Sequence, residues 1–221
     1  TQGRVEWVNA GFERLSGYSL SDLVGERPGD VLQGPSTDPA AVAALAAAIA
    51  DRRPIRLEIV NYHRDGRPYW VEIDLQPVFD QARALTQFIA IQRDVTETKR
   101  DAGLHAAREV GLRHTLDGDD LSATLPDVVQ SLESAFINAR VAVLLPEPDG
   151  ASLRCGAAAG LPEAVHTLLD HVPLGETGGL LGAAGQGRRA TAADLAADPF
   201  WAASAAAGRL GGLVDCWAEP I

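Results

Sequence analysis

Two strand-like segments joined by a tight turn constrain the fold of this chain more than any other feature. Residues 55–62 (IRLEIVNY) and 69–78 (YWVEIDLQPV) alternate apolar and polar side chains, as strands with one buried face do. The linker between them, HRDGRP, contains Asp65-Gly66, a pair that favours a β-hairpin turn. Residues 85–93 (LTQFIAIQR) add a third strand-like segment. These residues predict an antiparallel β-meander.

The segments before the hairpin predict mainly helices. Residues 4–8 (RVEWV) alternate like a strand, and Asn9 then starts a short helical stretch. A second short helix is predicted at 21–25, and a Gly/Pro-rich loop follows it. Residues 39–50 (PAAVAALAAAIA) predict a longer helix with proline in its first turn. Helices followed by a meander indicate an α+β domain with helices on one side of the sheet.

A similar pattern restarts in the second half of the chain. We expect an α+β fold of two domains, each an antiparallel sheet flanked by helices, joined by a helix. The predicted parts are a first domain at 1–97, a connecting helix at 98–116 and a second domain at 117–221. Within the second domain the expected elements are a helix at 121–137, strands at 140–145 and 152–157, a helix at 162–170, a Gly-rich loop at 175–187 and a closing strand from Leu213.

Charge and composition exclude several classes of function. Most of the net charge of −11 lies in residues 101–221, so the second domain lacks the clustered Lys and Arg that phosphate binding needs. We expect no nucleic-acid partner. Cys155 and Cys216 form no CxxC pair, which argues against a zinc site or a disulfide framework. No apolar run approaches the roughly 20 residues of a membrane span, and we expect a cytoplasmic protein.

Several motifs in the first 100 residues occur in the order typical of one family. VNAGFERLSGYSLSDLVG resembles the opening of a PAS domain, and DVTETKR resembles its Asp-x-Thr exit. VLQGPSTDP and NYHRDGRPYW are similar to stretches of the light-oxygen-voltage (LOV) class of PAS domains, which bind a flavin. The resemblance implies the PAS fold and a sensory role.

The resemblance also implies a set of flavin-binding positions. In LOV domains a cysteine four residues before the Gln of the LQG segment bonds covalently to the flavin in light. Here Gly29 occupies that position, so we expect no cysteinyl-flavin photochemistry. Amides at Gln33, Asn61 and Gln92 match family positions that hydrogen-bond the flavin ring, since an amide offers both a donor and an acceptor.

Other positions depart from the LOV pattern and disfavour a bound flavin mononucleotide. Asp30 and Ala46 replace the arginines that hold the flavin phosphate, Pro28 replaces an asparagine, and Val71 replaces an amide. Each lost arginine contact to phosphate is worth about 1.5–3 kcal/mol. Haem ligation by His63, which adjoins the hairpin turn, is not expected, because we expect that side chain to be solvated.

A simpler interpretation of the same residues needs no ligand. Gln33, Asn61 and Gln92 could satisfy backbone groups within a small core, because buried amides need hydrogen-bond partners. Tyr69 and Trp70 could serve only to pack the sheet. Both interpretations of these residues remain open at the level of sequence.

The second domain resembles GAF domains, another sensory module. The likeness lies in DLAADPFWAASAAAGRLGGLVDCWAEPI, with weaker support from RVAVLLPEPDGASLRCGAAAGLP. Neither Cys155 nor Cys216 is followed by His, so no bilin is expected. CWAEPI resembles the first strand of a closing hairpin, and we expect the domain to be incomplete at its C-terminus. If so, Leu213–Ile221 should pair on one side only.

These observations favour a sensory PAS–GAF input module of a bacterial signalling protein, not an enzyme. We expect a homodimer that responds to a small molecule and relays a signal to a histidine kinase or a cyclic di-GMP turnover domain. One alternative is a dimerisation and relay module without a ligand. The other is a small enzyme, disfavoured because GxSxG, HExxH and comparable catalytic motifs are missing from the sequence.

Overall fold

The chain divides into two compact units, Thr1–Ala102 and Gly103–Ile221. The computed structural model describes residues 3–118, 120–203 and 213–221. Unit 1 has four helices followed by an antiparallel sheet of strand order β1-β2-β3, which confirms the predicted meander. Its elements are α1 Ala10–Ser16, α2 Leu20–Leu23, α3 Pro28–Leu32, α4 Pro39–Ala50, β1 Ile55–Tyr62, β2 Pro68–Phe79 and β3 Leu85–Asp94.

Local capping sets the helix boundaries in unit 1. Asn9 accepts a hydrogen bond from the Phe12 amide at 2.8 Å and begins α1. Asp38 does the same for the amide of Ala40, and Pro39 occupies the first position of α4. These caps use groups within three residues of each other, which is why the sequence predicts them.

The sheet of unit 1 buries one face against the helices. Side chains at alternate positions of β2 form this inner face together with their cross-strand partners, and α1 and α4 pack on it. The buried residues of this core are Ile59, Tyr69, Val71, Ile73 and Leu75. The opposite face carries charged residues, including an ion pair between Arg56 and Glu72 at 2.7 Å.

Two expectations for unit 1 were wrong. Residues 4–8 do not form a strand, since only Val5 makes an isolated bridge, to Val24. Alternation alone cannot create a strand without a partner to pair with. The Gly/Pro-rich loop contains α3, because Pro28 provides a suitable first residue for a helix.

Helix α5, Thr96–Asp117, begins in unit 1 and ends in unit 2. Its first turn follows Asp94, whose carboxylate accepts a hydrogen bond from the Thr96 amide at 2.9 Å. The connecting helix predicted for residues 98–116 falls within α5.

Unit 2 contains two small antiparallel sheets, β4-β5-β6 and β7-β8, with helices around them. Its core includes Leu153, Val165, Leu169, Val172, Leu180, Leu195 and Trp201. The remaining elements are α6 Leu121–Ala135, β4 Val143–Pro146, β5 Ser152–Ala157, α7 Glu163–Leu169, β6 Val172–Pro173, a 3-10 turn Glu176–Gly178, α8 Gly179–Gly185, β7 Ala190–Ala192, a 3-10 turn Leu195–Ala197, α9 Pro199–Ala203 and β8 Cys216–Ala218.

The Gly-rich stretch 175–187 is not the loop that its composition suggests. It contains a 3-10 turn and the helix α8, whose Leu180 and Leu181 are buried in the core. Burial of these two leucines outweighs the low helix propensity of glycine.

The closing segment, residues 213–221, pairs through β8 with β7. Within the described part of the chain β8 has no second strand partner, and the Trp217 side chain is 55% exposed. The incompleteness of the second domain stays a prediction. Among the described residues, no helix is both long and apolar enough to cross a membrane.

Candidate functional site

The inner face of the unit 1 sheet gathers polar side chains inside an apolar core. Asn61 lies opposite Tyr69 in the β1–β2 ladder, and Gln92 lies opposite Ile73 in the β2–β3 ladder. Because Tyr69 and Ile73 both belong to the buried face, the two predicted amides share that face.

Tyr69 is a buried polar residue for which the sequence favoured packing over contact with a ligand. Its side chain is 6% exposed, and Asn61 beside it is 3% exposed. Burial raises the pKa of Tyr69 to about 12, while the neighbouring Asn61 amide opposes that shift. The phenol is therefore a neutral hydrogen-bond donor at physiological pH. The hairpin register, which places this tyrosine opposite Asn61, is the signal that could have identified it.

Two polar atoms on this face lack partners. Tyr69 Oη and Gln92 Oε1 are both buried, and neither forms a hydrogen bond with any described residue. The Asn61 amide is near the phenol but does not meet hydrogen-bond geometry with it. A buried polar atom left unsatisfied costs about 1–3 kcal/mol, so such atoms mark places where a water or a ligand binds.

Gln33, the third predicted amide, has a different environment. It caps the C-terminal end of α3, and its side chain folds back over Gly29. A Cβ atom at Gly29 would lie 2.9 Å from Gln33 Nε2. Asn61 and Gln92 share the inner face of the sheet but lie on different strands, opposite Tyr69 and Ile73 respectively.

The segment after Gln33 is held firmly against the sheet. Thr37 Oγ1 donates to the Val60 carbonyl at 2.7 Å and accepts from the Gly34 amide at 2.9 Å. Tyr62 Oη accepts from the Ser36 amide and donates to its hydroxyl, both at 2.9 Å. These contacts fix the position of the chain beside the candidate site.

His63 is more buried than expected. Its side chain is 19% exposed, and it pairs with Asp65 at 2.9 Å. A Cβ at Gly17 would overlap the imidazole ring, so glycine at this left-handed position, with φ of 76°, makes room for it. The prediction of a solvated side chain was wrong because the hairpin folds back on the end of α1.

The residues present do not fit a flavin mononucleotide attached through cysteine. Gly29 offers no thiol, and the amide of Gln33 occupies the space beside it. Val71, where the LOV pattern has an amide, is fully buried among apolar side chains and offers no hydrogen bond. Asp30 is exposed and carries the wrong charge for a phosphate.

The described residues of unit 2 include a weaker candidate cluster. Cys155 Sγ lies 4.0 Å from His166 Nδ1, beside an open depression lined by Leu161, Glu163, His166, Thr167 and Asp170. Burial, followed by the nearby Asp170 carboxylate, raises the pKa of the Cys155 thiol, which disfavours the reactive thiolate. Across the described ranges, no three His, Cys, Asp or Glu side chains are grouped to hold a metal ion.

Comparison with known proteins identifies the first unit. The family model described as PAS domain matches residues 1–97. A blue-light-activated histidine kinase of Rhizobium johnstonii is 35% identical over 125 residues, which cover 57% of this chain and 35% of that protein. The LOV domain of the Erythrobacter litoralis EL346 blue-light activated histidine kinase is 40% identical, covering 40% of this chain and 80% of that one, with a TM-score of 0.38. Residues 1–97 thus match the PAS domain model, and the chain is similar in sequence to a LOV domain.

Other proteins are also similar to part of this chain. A blue-light-activated histidine kinase of Brucella ovis is 37% identical over 92 residues, covering 42% of this chain and 19% of that protein. The light-state structure of the Aureochrome1 LOV domain is 28% identical and covers 43% of this chain and 73% of that one, with a TM-score of 0.41. The chain thus spans about a third or less of these histidine kinases.

The absence of a thiol at Gly29 leads to a direct spectroscopic prediction. Blue light applied to the protein with added flavin mononucleotide is expected to cause no reversible bleaching, since no sulfur can bond to the ring. Gly29→Cys is not expected to restore the reaction, because Val71 and Asp30 still oppose flavin binding. The visible absorbance of the added flavin follows the reaction. Bleaching of the unmodified protein that recovers in the dark with adduct kinetics would contradict this prediction.

Proposed function

We propose that this chain is a sensory and relay segment of a signalling protein. In this proposal the LOV-type PAS domain responds to a small ligand on its inner sheet face, and α5 carries the response onward. The contact between Trp70 and the first turn of α5 is the observation that most supports it.

The first turn of α5 is attached to the outer face of the sheet around Trp70. The Trp70 amide donates to Thr96 Oγ1 at 2.9 Å, and the Val95 amide donates to the Trp70 carbonyl at 3.0 Å. Lys99 Nζ lies 5.3 Å from the centre of the Trp70 ring and pairs with the Glu58 carboxylate.

Trp70 lies on the outer face of the sheet, between two residues of β2 that face the core. Its neighbours along β2, Tyr69 and Val71, both point into the core next to Asn61. A ligand that shifts Tyr69 or Val71 on the inner face would therefore also move Trp70, the adjacent residue of β2, to which α5 is attached. A ligand changes an equilibrium only by binding one state better, and useful couplings are about 1–3 kcal/mol.

For the rest of the protein we favour the following assignments. Unit 2 is a GAF-like sensory domain, and two α5 helices pair in a homodimer. The output is a histidine kinase, because the sequence relatives carry that name; a cyclic di-GMP turnover enzyme is the second candidate.

Loosening the α5 attachment tests the relay. Lys99→Gln is expected to speed amide exchange of residues 96–102 about fivefold, since it removes contacts worth about 1 kcal/mol in total. Hydrogen exchange with mass spectrometry on the full chain measures this. Arg56→Gln is the matched control, because Arg56 pairs with Glu72 of the same sheet and not with a residue of α5.

Two results would count against the proposal. Equal exchange in Lys99→Gln and Arg56→Gln would show that Lys99 does not attach the helix. A strict monomer in sedimentation at high protein concentration would exclude relay through paired α5 helices.

A further inference from the structure

We infer that unit 2 binds Cu(I) between the Cys155 sulfur and the Nδ1 atom of His166. Strand β5 carries Cys155, and helix α7 carries His166. This inference goes beyond the proposed function, because it gives unit 2 a ligand of its own, a soft monovalent metal ion, whatever the PAS domain binds.

The first argument is the distance between the two ligand atoms. Cys155 Sγ lies 4.0 Å from His166 Nδ1, which is long for a hydrogen bond. Bonds to a metal ion with a filled d shell are about 2.3 Å from sulfur and about 2.0 Å from nitrogen. They would hold the two atoms about 3.5 Å apart at a tetrahedral angle and about 4.3 Å apart in a straight line. The observed distance falls between these values, which is the gap that one bound ion spans.

The second argument is the number and type of the ligands. Structural zinc takes four protein ligands, whereas the described residues contain no group of three His, Cys, Asp or Glu side chains placed to hold a metal ion. Soft sulfur ligands select Cu(I). Because Cu(I) is stable with two ligands, the pair of Cys155 and His166 is sufficient for it.

The third argument is the setting of the pair. Cys155 is half-buried and packs against the apolar core of unit 2, which limits the access of water to its sulfur. The open depression beside the pair is lined by His166 itself and by two acidic residues, Glu163 and Asp170. Carboxylates at a cleft raise the local concentration of cations, so this depression provides an entry path for the ion.

Binding displaces a proton and changes no oxidation state. The Cys155 thiol loses its proton to solvent as sulfur bonds the ion. His166 binds through the lone pair of Nδ1 and keeps its proton on Nε2. Copper remains Cu(I) throughout, so no oxidant or reductant is consumed.

Competition with bicinchoninate, which forms a coloured complex with Cu(I), tests the site on the reduced full chain without oxygen. The unmodified protein is expected to withdraw one equivalent of Cu(I) from the chelator. Cys155→Ser and His166→Gln are each expected to bind at least about a hundredfold more weakly, since even the loss of a group behind a metal ligand costs about 10–100-fold. Cys216→Ser is the matched control, because the second cysteine of the chain donates instead to the Trp217 carbonyl at 3.5 Å. It is expected to bind like the unmodified protein.

Several results of this titration would overturn the inference. One is the absence of any withdrawal of Cu(I) by the unmodified protein. Others are unchanged affinity in Cys155→Ser or His166→Gln, and an equal loss in Cys216→Ser. Displacement of the bound Cu(I) by an equal concentration of Zn²⁺ would overturn the assigned ion.

X-ray absorption spectroscopy on the unmodified protein loaded with Cu(I) tests the ligands without any substitution, so it does not depend on the folding of a variant. The spectrum is expected to show one sulfur and one nitrogen bonded to copper. Two sulfur ligands, or three or more ligands from the protein, would overturn the site formed by Cys155 and His166.

Discussion

Replacing Asp198 by alanine is expected to destabilise unit 2 by about 3–5 kcal/mol. The Asp198 side chain is buried, at 8% exposed, and joins the start of α8 to the start of α9. It accepts hydrogen bonds from the amides of Leu180 at 2.8 Å, Phe200 at 3.0 Å and Trp201 at 3.4 Å. Alanine would leave these buried donors unsatisfied, and bonds to a charged acceptor are worth about 1.5–3 kcal/mol each.

The measurement should report on unit 2 separately. Hydrogen exchange of peptides from residues 172–203 in the full chain does this, since exchange reports local opening free energies. Asp194→Ala is the matched control: Asp194 also accepts a backbone bond, from Ala196 at 2.9 Å, but it is exposed. It is expected to cost about 1 kcal/mol. A similar loss of opening free energy in Asp198→Ala and Asp194→Ala would show that Asp198 acts only as an ordinary helix cap.

Gly34→Ala is expected to destabilise the PAS domain by about 2–3 kcal/mol. A Cβ at Gly34 would lie 2.5 Å from the Tyr62 ring. The ring cannot easily move away, because its hydroxyl bonds both the amide and the hydroxyl of Ser36. Overpacking of this kind typically costs about 1–3 kcal/mol, and displacement of Tyr62 would add the loss of its hydrogen bonds.

Gly29→Ala is the matched control for Gly34→Ala. The atom that a new Cβ would approach is the end of the flexible Gln33 side chain, which can rotate away. Alanine also favours the helix α3, so the net change is expected to stay within about 1 kcal/mol. Urea unfolding followed by hydrogen exchange of residues 55–79 measures both variants. Equal destabilisation would contradict the view that Tyr62 is fixed and Gln33 is mobile.

The sequence predicted those elements whose signals are local. The strands at 55–62 and 85–93 and the helix Pro39–Ala50 were located almost to the residue. Alternation, an Asp-Gly turn and a proline in a first helical turn each act within a few residues, so no distant contact was needed to recognise them.

Elements that depend on distant partners were missed. Residues 4–8 have the pattern of a strand but pair only at Val5, and α8 forms in a stretch whose glycines argue against a helix. Burial of Leu180 and Leu181 in the unit 2 core decides the second case. Local propensity is weak compared with such burial.

For the candidate site, the sequence by itself determined the identities that matter: an amide at Asn61 and at Gln92, and no thiol at Gly29. It could not show that the Gln33 side chain covers Gly29, or that the Tyr69 hydroxyl lies buried without a partner. Only the tertiary structure decided these points. Hydrogen-bond satisfaction and burial depend on contacts between β1, β2, β3 and the helices above them, segments that are far apart in the chain and whose approach no local pattern encodes.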